Sequence, residues 1–346
     1  MTVARTPLLS VKDLTKHFGG KHSLLGKPRP IIPAVDAFSL DIHAGETVGL
    51  VGESGCGKTT AGRTILRLLE PTSGSVHFRS RTYAEARGPE RADVVAADSN
   101  ELRLLRRDMQ IIFQDPYSAL NPRLTLASNV GEPLRANKMG NRGERRERVA
   151  ELLERVGLAP EMMDRYPHEF SGGQRQRAVI ARALTLDPSF VVADEAVSAL
   201  DVSIQAQVLN ILLDLQASRN LAFLFIAHDL AVVKYVSHRV AVMYLGRVVE
   251  LSPTDELFAD PRHPYTEALM SAVPPPHRRK RPPRITLAGD VPNPAAPPSG
   301  CHFRTRCRYA KDRCVSESPA LREIRPGHLA ACHYAEKLTL RPASVR

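Results

Sequence analysis

"GESGCGKTT", Gly52–Thr60, is the stretch that decides the fold. From Gly52 to Thr59 it fits G-x-x-x-x-G-K-[ST], a loop whose backbone N–H groups cradle the phosphates of a nucleotide. Gly52, Gly55 and Gly57 let that backbone turn inward without Cβ clashes. Lys58 reaches the β- and γ-phosphates as a mobile point charge, and the Thr59 hydroxyl ligates Mg²⁺. The rest of the stretch, Glu53, Ser54, Cys56 and Thr60, counts as nucleotide-contacting loop, with no chemistry assigned to the Cys56 thiol. Such a loop needs a strand before it and a helix after it. "TVGLV", Thr47–Val51, is a short apolar run typical of a central strand, and "KTTAGRTILRLLE" from Lys58 keeps helical spacing up to Pro71.

The same patterns extend in both directions. "LLSVKDLTKHF" and "AVDAFSLDI" read as short strands before the loop; "FVVAD", "AFLFIAHD" and "RVAVMYL" read as buried parallel strands after it. Helical segments such as "SIQAQVLNILLDLQ" separate them, which gives an α/β, three-layer P-loop domain. A mostly helical insert is expected from about residue 115 to 175. Within it, "RERVAELLERVGL" sets Val149, Leu152, Leu153 and Val156 at i, i+3, i+4 and i+7, an amphipathic helix ending at Gly157. Residues 79–107, polar and weakly periodic, are expected to form a surface insertion. The ATPase-like part is expected to span 1–258 and a C-terminal extension 259–346. Nine prolines between 274 and 298 mark an extended tether, followed by a cysteine-bearing module with too few apolar residues for much core.

Composition excludes several classes. At 346 residues, 43% hydrophobic and 25% charged, the chain is globular rather than disordered. No uninterrupted apolar run approaches the roughly 20 residues of a membrane helix. "MTVARTPLLSVKDL" lacks the apolar core of a secretory signal, so the chain is expected in the cytoplasm. The net charge of +11 suits nucleic acid or an anionic membrane surface. Its densest patch, "HRRKRPPR" at His277–Arg284, has no aromatic residues to stack bases, which favours a solvated linker near lipid headgroups over a nucleic-acid partner.

Two further stretches bear on phosphate chemistry. "FVVADE", Phe190–Glu195, is an apolar strand ending in two acids, with Asp194 the candidate for Mg²⁺ and Glu195 the candidate base for an attacking water. "SGGQ", Ser171–Gln174, opens a helix; Ser171, Gly172, Gly173 and Gln174 read either as an N-cap or as an anion site at the helix N-terminus.

"GESGCGKT", "FSGGQRQR", "FVVADE", "SALD" and "FIAHD" stand in the order and approximate spacing of an ABC-transporter ATPase subunit, which residues 8–258 resemble. Phe170 stands where Leu is common and Ala196 where Pro is usual, and neither change removes a ligand. The resemblance implies that Phe18 stacks on adenine and that Gln114 touches Mg²⁺ and the attacking water. It makes His228 a contact to the γ-phosphate, and "SALD", Ser198–Asp201, a loop coupling two opposed subunits. Ser171, Gly172 and Gly173 then cap ATP bound by a second ATPase subunit, identical or a paralogue.

"DPYSALNPR", "RYPHEFSGGQ", "MYLGRVVEL", "HPYTEALMSAVP" and "PPSGCHFRTRC" narrow the resemblance to the oligopeptide/dipeptide importer ATPases, the second of their paired subunits in particular. The closer likeness leaves out the 79–100 insertion and the loop near 20–33. It implies an ATPase that powers peptide import, bound to two permease subunits at the cytoplasmic face of the membrane, with an extracytoplasmic binding protein selecting cargo. Nickel or glutathione is the alternative cargo, and a soluble non-transport ATPase the alternative class. Cys301, Cys307, Cys314 and Cys332 form a cluster that a reducing cytosol keeps from disulfides. By count it suits a [4Fe–4S] cluster or Zn²⁺, or the thiols stay unligated. Zinc sites favour shorter Cys pairs, and Arg304, Arg306, Arg308 and Arg313 would offset a cluster's negative charge.

Overall fold

Apolar runs bounded by turn residues become the strands, in a computed structural model that describes residues 6–20, 30–88, 91–272 and 284–343. The basic run 277–283, prolines 274–276, 282 and 283, and the loop 21–29 lie outside the described residues. The strands begin with β1 (Leu9–Phe18), β2 (Ile32–Ile42), β3 (Thr47–Val51), β4 (Ser73–Arg79), β5 (Arg91–Asp93) and β6 (Met109–Ile112). They continue with β7 (Phe190–Asp194), β8 (Ala222–Ile226), β9 (Arg239–Tyr244), β10 (Arg247–Pro253), β11 (Arg322–Arg325) and β12 (His328–Ala330). The helices are α1 (Lys58–Ile65), α2 (Arg81–Arg87), α3 (Ser99–Asp108), α4 (Pro116–Ala119), α5 (Leu126–Val130), α6 (Glu132–Ala136) and α7 (Arg142–Arg155). After them come α8 (Gly172–Ala183), α9 (Val202–Arg219), α10 (Leu230–Val236), α11 (Thr254–Ala259), α12 (Pro264–Ser271) and α13 (Arg313–Ser316). They sort into two compact units, one within Met1–Leu9, Ile42–Glu46 and His77–Ile226, the other within Ser10–Asp41, Thr47–Val76 and Ala227–Arg346.

In the first unit β6, β7 and β8 pair in parallel, Met109 opposite Phe190 and Phe190 opposite Ala222. Every residue of β7 and β8 is buried, the expected outcome for continuous apolar runs in a parallel sheet. The helical insert follows: α7 starts at a capping box of Asn141 and Glu144 and buries Val149, Leu152 and Leu153. Asn129 staples the segment before it, donating from Nδ2 to the carbonyls of Asn121, Leu124 and Thr125. The expected surface insertion is instead folded structure. Asp98 and Glu101 cap α3, Leu102 and Leu105 are buried, and the buried Asp108 carboxylate accepts from Thr82 N (2.9 Å), Thr82 Oγ1 (2.8 Å) and Ser80 Oγ. Helix α2 buries no side chain and α3 only two apolar ones, too few to register as periodicity, and a carboxylate takes the place of a larger core.

In the second unit β3 and β9 run parallel, Val48 opposite Arg239. Leu245 (φ 45°) and Gly246 (φ 83°) turn β9 back into β10 as an antiparallel hairpin. Helix α1 ends at Ile65 rather than at Pro71, because Arg67 adopts φ 50° and turns the chain. The C-terminal segment supplies β12, antiparallel to β10, and β11 beyond it. A module short of apolar residues thus gains its core by borrowing: Phe303 packs edge-on to Tyr244 at 5.2 Å between ring centroids.

Glu250 on β10 anchors this arrangement with no exposed surface. Its Oε1 accepts from Arg262 N (2.6 Å) and its Oε2 from His263 N (2.9 Å); His328 Nε2 of β12 lies 2.7 Å from Oε1. Glu250→Ala strands two buried N–H groups and an imidazole, and is expected to lower stability by about 3–5 kcal/mol in urea unfolding. Glu250→Gln, which keeps one acceptor oxygen, is expected to lose less.

Candidate active site

The phosphate loop is shaped by main-chain contacts that only glycine permits. A Cβ at Gly57 (φ 105°), the N-cap of α1, would stand 2.0 Å from Ala34 O, and one at Gly52 would stand 2.2 Å from Met243 O. Lys58, 5% exposed at the first position of α1, donates from Nζ to Gly52 O (2.8 Å) and Glu53 O (3.0 Å). The ammonium is thereby held inside the curve of the loop. Cys56 points inward and is buried, and that burial pushes its thiol pKa up, so it fills space as a neutral side chain.

Glu53 is tied from two sides by residues from much further along the chain. The buried Tyr265 hydroxyl accepts from Glu53 N at 2.7 Å. Arg306 clasps the Glu53 carboxylate with both terminal nitrogens, NH1 to Oε2 at 2.6 Å and NH2 to Oε1 at 3.0 Å. Tyr265 packs with Tyr244 at 4.7 Å and Phe303 at 5.4 Å. His263, the N-cap of α12, accepts from Tyr265 N on Nδ1 (3.1 Å), and complete burial takes its pKa down to about 3. A neutral ring keeps that nitrogen an acceptor. Sequence reasoning found Glu53 but not its partners. The only signal was the arginine-rich "CHFRTRC", read as charge compensation for a cluster. In the structure Arg306 pairs with Glu53, Arg308 with Glu267 and Arg313 with Glu317, while Arg304 donates to Ser299 O.

In the first unit the structure brings Gln114 and Glu195 together, Gln114 Nε2 donating to Glu195 Oε2 at 2.7 Å. Asp194 ends β7 fully inside, at 1% exposure, and Glu195 follows with φ 49°. A non-glycine residue in the left-handed region at a strand end carries local strain of the kind found at functional sites. Its amide donates to Ile226 O (3.0 Å), and Ser198 N and Oγ both donate back to Glu195 O. Ser171 caps α8 in a reciprocal box with Gln174: Gln174 N donates to Ser171 Oγ (3.3 Å), Ser171 N to Gln174 Oε1 (3.0 Å). The N-cap reading of "SGGQ" is therefore correct as local structure. A Cβ at Gly173 would meet Ile204 at 2.4 Å, whereas one at Gly172 would meet nothing within 4 Å, so α8 presents an open N-terminus at Gly172. Asp201, exposed, heads α9 without a side-chain capping bond.

The remaining expected residues lie in the second unit. Phe18 ends β1 as an exposed residue, 40% accessible, with the Lys16 ammonium 5.1 Å from its ring centroid, which rules out a core role. His228 is exposed ahead of α10, whose N-cap Asp229 accepts from Ala231 N. Cys301, Cys307, Cys314 and Cys332 line one small cavity with Phe303 and Tyr309, and none forms a disulfide. Burial pushes the Cys307 thiol up to about 12 and Cys332 up to about 11. Four converging thiols suit a soft metal by donor chemistry, but among the described residues no group of three or more His, Cys, Asp or Glu is placed to hold a metal ion.

Comparison with known proteins agrees with this geometry. Residues 35–198 match the ABC transporter family, and residues 249–314 match the oligopeptide/dipeptide transporter C-terminal region. A putative peptide import ATP-binding protein of Brucella ovis is 52% identical over 330 residues, 95% of this chain and 98% of the relative. The oligopeptide transport ATP-binding protein AppF of Bacillus subtilis is 49% identical over 338 residues, 96% of this chain and 99% of the relative. Among solved structures, the dimeric post-hydrolysis ATP-binding cassette MJ0796 bound to ADP and Pi superposes with a TM-score of 0.60 and 30% identity, covering 71% of this chain and 98% of that one. The chain belongs to the ABC transporter ATP-binding proteins, in the branch that carries the oligopeptide/dipeptide transporter C-terminal region.

Proposed function

We propose that the chain is the ATP-hydrolysing subunit that powers peptide import through a membrane transporter. The observation that carries the catalytic half is the 2.7 Å bond from Gln114 Nε2 to Glu195, set directly after the buried Asp194. A carboxylate held by an amide at the end of a parallel strand is placed to take a proton from water. In this reading Lys58 and the N–H groups of Gly52–Thr60 bind the phosphates, and Phe18 stacks on adenine. By the family resemblance Thr59, Asp194 and Gln114 would supply oxygen ligands for Mg²⁺, which would neutralise charge on the β- and γ-phosphates. Glu195 accepts the proton of the attacking water, Gln114 fixes its carboxylate, and His228 contacts the γ-phosphate. Ser171, Gly172 and Gly173 offer the N-terminus of α8 to ATP held by a second ATPase subunit, with Asp201 in the coupling loop between them.

Peptide cargo is supported by the names of the relatives and by the matched C-terminal region. Among the described residues no helix is long and apolar enough to cross a membrane, and in this reading the translocation path is built by partners. We assign these as two permease subunits, met at the cytoplasmic face by the segment Gln114–Pro122, where Tyr117 stands exposed over Arg175. An extracytoplasmic binding protein selects the peptide. The finer assignment of the four cysteines to a [4Fe–4S] cluster, with Zn²⁺ as alternative, rests on their shared cavity.

Glu195→Gln is expected to keep ATP affinity, accumulate an ATP-bound dimer in light scattering, and lose about 100-fold or more in turnover. Near-normal hydrolysis would remove Glu195 as the base. Tagged chain extracted from membranes in mild detergent is expected to bring down two multi-spanning proteins; co-purification with ribosomes alone would overturn the transport reading. Anaerobically purified chain is expected to carry about four irons. One zinc, or no metal, would overturn the cluster assignment.

A further inference from the structure

A carboxylate is an unexpected side chain for a loop that holds a triphosphate. Glu53 immediately follows the first glycine of the loop, and its own backbone carbonyl accepts from the Lys58 ammonium at 3.0 Å. Left unneutralised, its charge would oppose the one that Lys58 brings. The structure supplies the neutralising group from 253 residues away: Arg306 meets Glu53 in a two-pronged pair at 2.6 and 3.0 Å. The pair is well shielded from water, with the Arg306 side chain 7% exposed and that of Glu53 26%. The planar guanidinium matches the carboxylate on both oxygens, a fit that lysine cannot reproduce. Tyr265 fixes the backbone of the same residue through its hydroxyl, and Phe303 joins both contributions into one packed block. The segment carrying Arg306 is itself braced, with Cys301 N donating to Cys314 O and Arg306 N to Phe303 O.

We infer that Arg306 is a positioning residue of the nucleotide site, holding and neutralising Glu53 so that the phosphate loop keeps the shape and positive potential that bind a polyphosphate. The C-terminal region is then a working part of the nucleotide site as well as a family marker. This rests on the loop binding ATP, and it adds a residue and a mechanism that the loop motif does not contain.

The test uses the full-length chain and equilibrium binding of fluorescent ATP, ADP and adenosine analogues. Arg306→Ala exposes the Glu53 charge to the phosphates, and is expected to weaken ATP binding about tenfold or more, ADP binding less, and adenosine binding not at all. Adding Glu53→Gln to Arg306→Ala is expected to restore ATP affinity to within about threefold of the unmodified chain, because the charge that needed a partner is gone. Arg306→Lys, which keeps the charge and loses the fork, is expected to fall between, about threefold weak. Two results overturn the inference: unchanged ATP affinity in both Arg306 variants, or a loss that is equal for all three ligands and is not rescued by Glu53→Gln, the mark of simple structural support. Failure of the unmodified chain to bind ATP is a separate outcome, and would overturn the nucleotide reading itself.

Discussion

A carboxyl group with no exposed surface costs stability unless hydrogen-bond partners surround it, and Glu250 is such a group. It gathers the amides of Arg262 and His263 and the ring of His328, the last of them 78 residues further along the chain. Each then orders something larger. His328 brings β12 alongside β10. The turn at Arg262 and His263 sets the start of α12, and the neutral His263 receives the amide of Tyr265. Tyr265 in turn holds the amide of Glu53 in the phosphate loop. A short relay of hydrogen bonds thus runs from a buried acid in the sheet to the loop that grips phosphate.

The two acids at the end of β7, Asp194 and Glu195, are organised by a different device. Strand β7 is too apolar to leave its course before Asp194, so the turn must be made at once, and Glu195 makes it with a left-handed backbone. That conformation is held by the bonds to Ile226 and Ser198 and lifts the carboxylate to Gln114. The backbone strain thus falls on the same residue whose carboxylate meets Gln114, and which we propose as the base.

Most of the α/β frame was legible because its physics is local. A run such as "AFLFI" has no solvent face, and the glycine spacing of the phosphate loop has no other common use. The α2–α3 region was not legible, because what orders it is Asp108 bonded to Ser80 and Thr82, a polar core that leaves no hydrophobic period. The end of α1 was misplaced because a left-handed Arg67 has no sequence signature. Arg306 was visible as a charge but not as a partner. Its target lies at the other end of the chain, and proximity across 253 residues is a property of the folded state alone.

The second unit is also discontinuous in sequence: it draws on Ser10–Asp41 and Thr47–Val76, then waits for Ala227–Arg346. On a ribosome adding roughly 5–20 residues per second, Glu53 is added roughly 13–50 s before Arg306. For that interval the phosphate loop exists without its brace, and the cell holds a nascent chain whose nucleotide pocket is unfinished. A ribosome that stops before Arg306 therefore releases a product whose phosphate loop lacks the partner of Glu53.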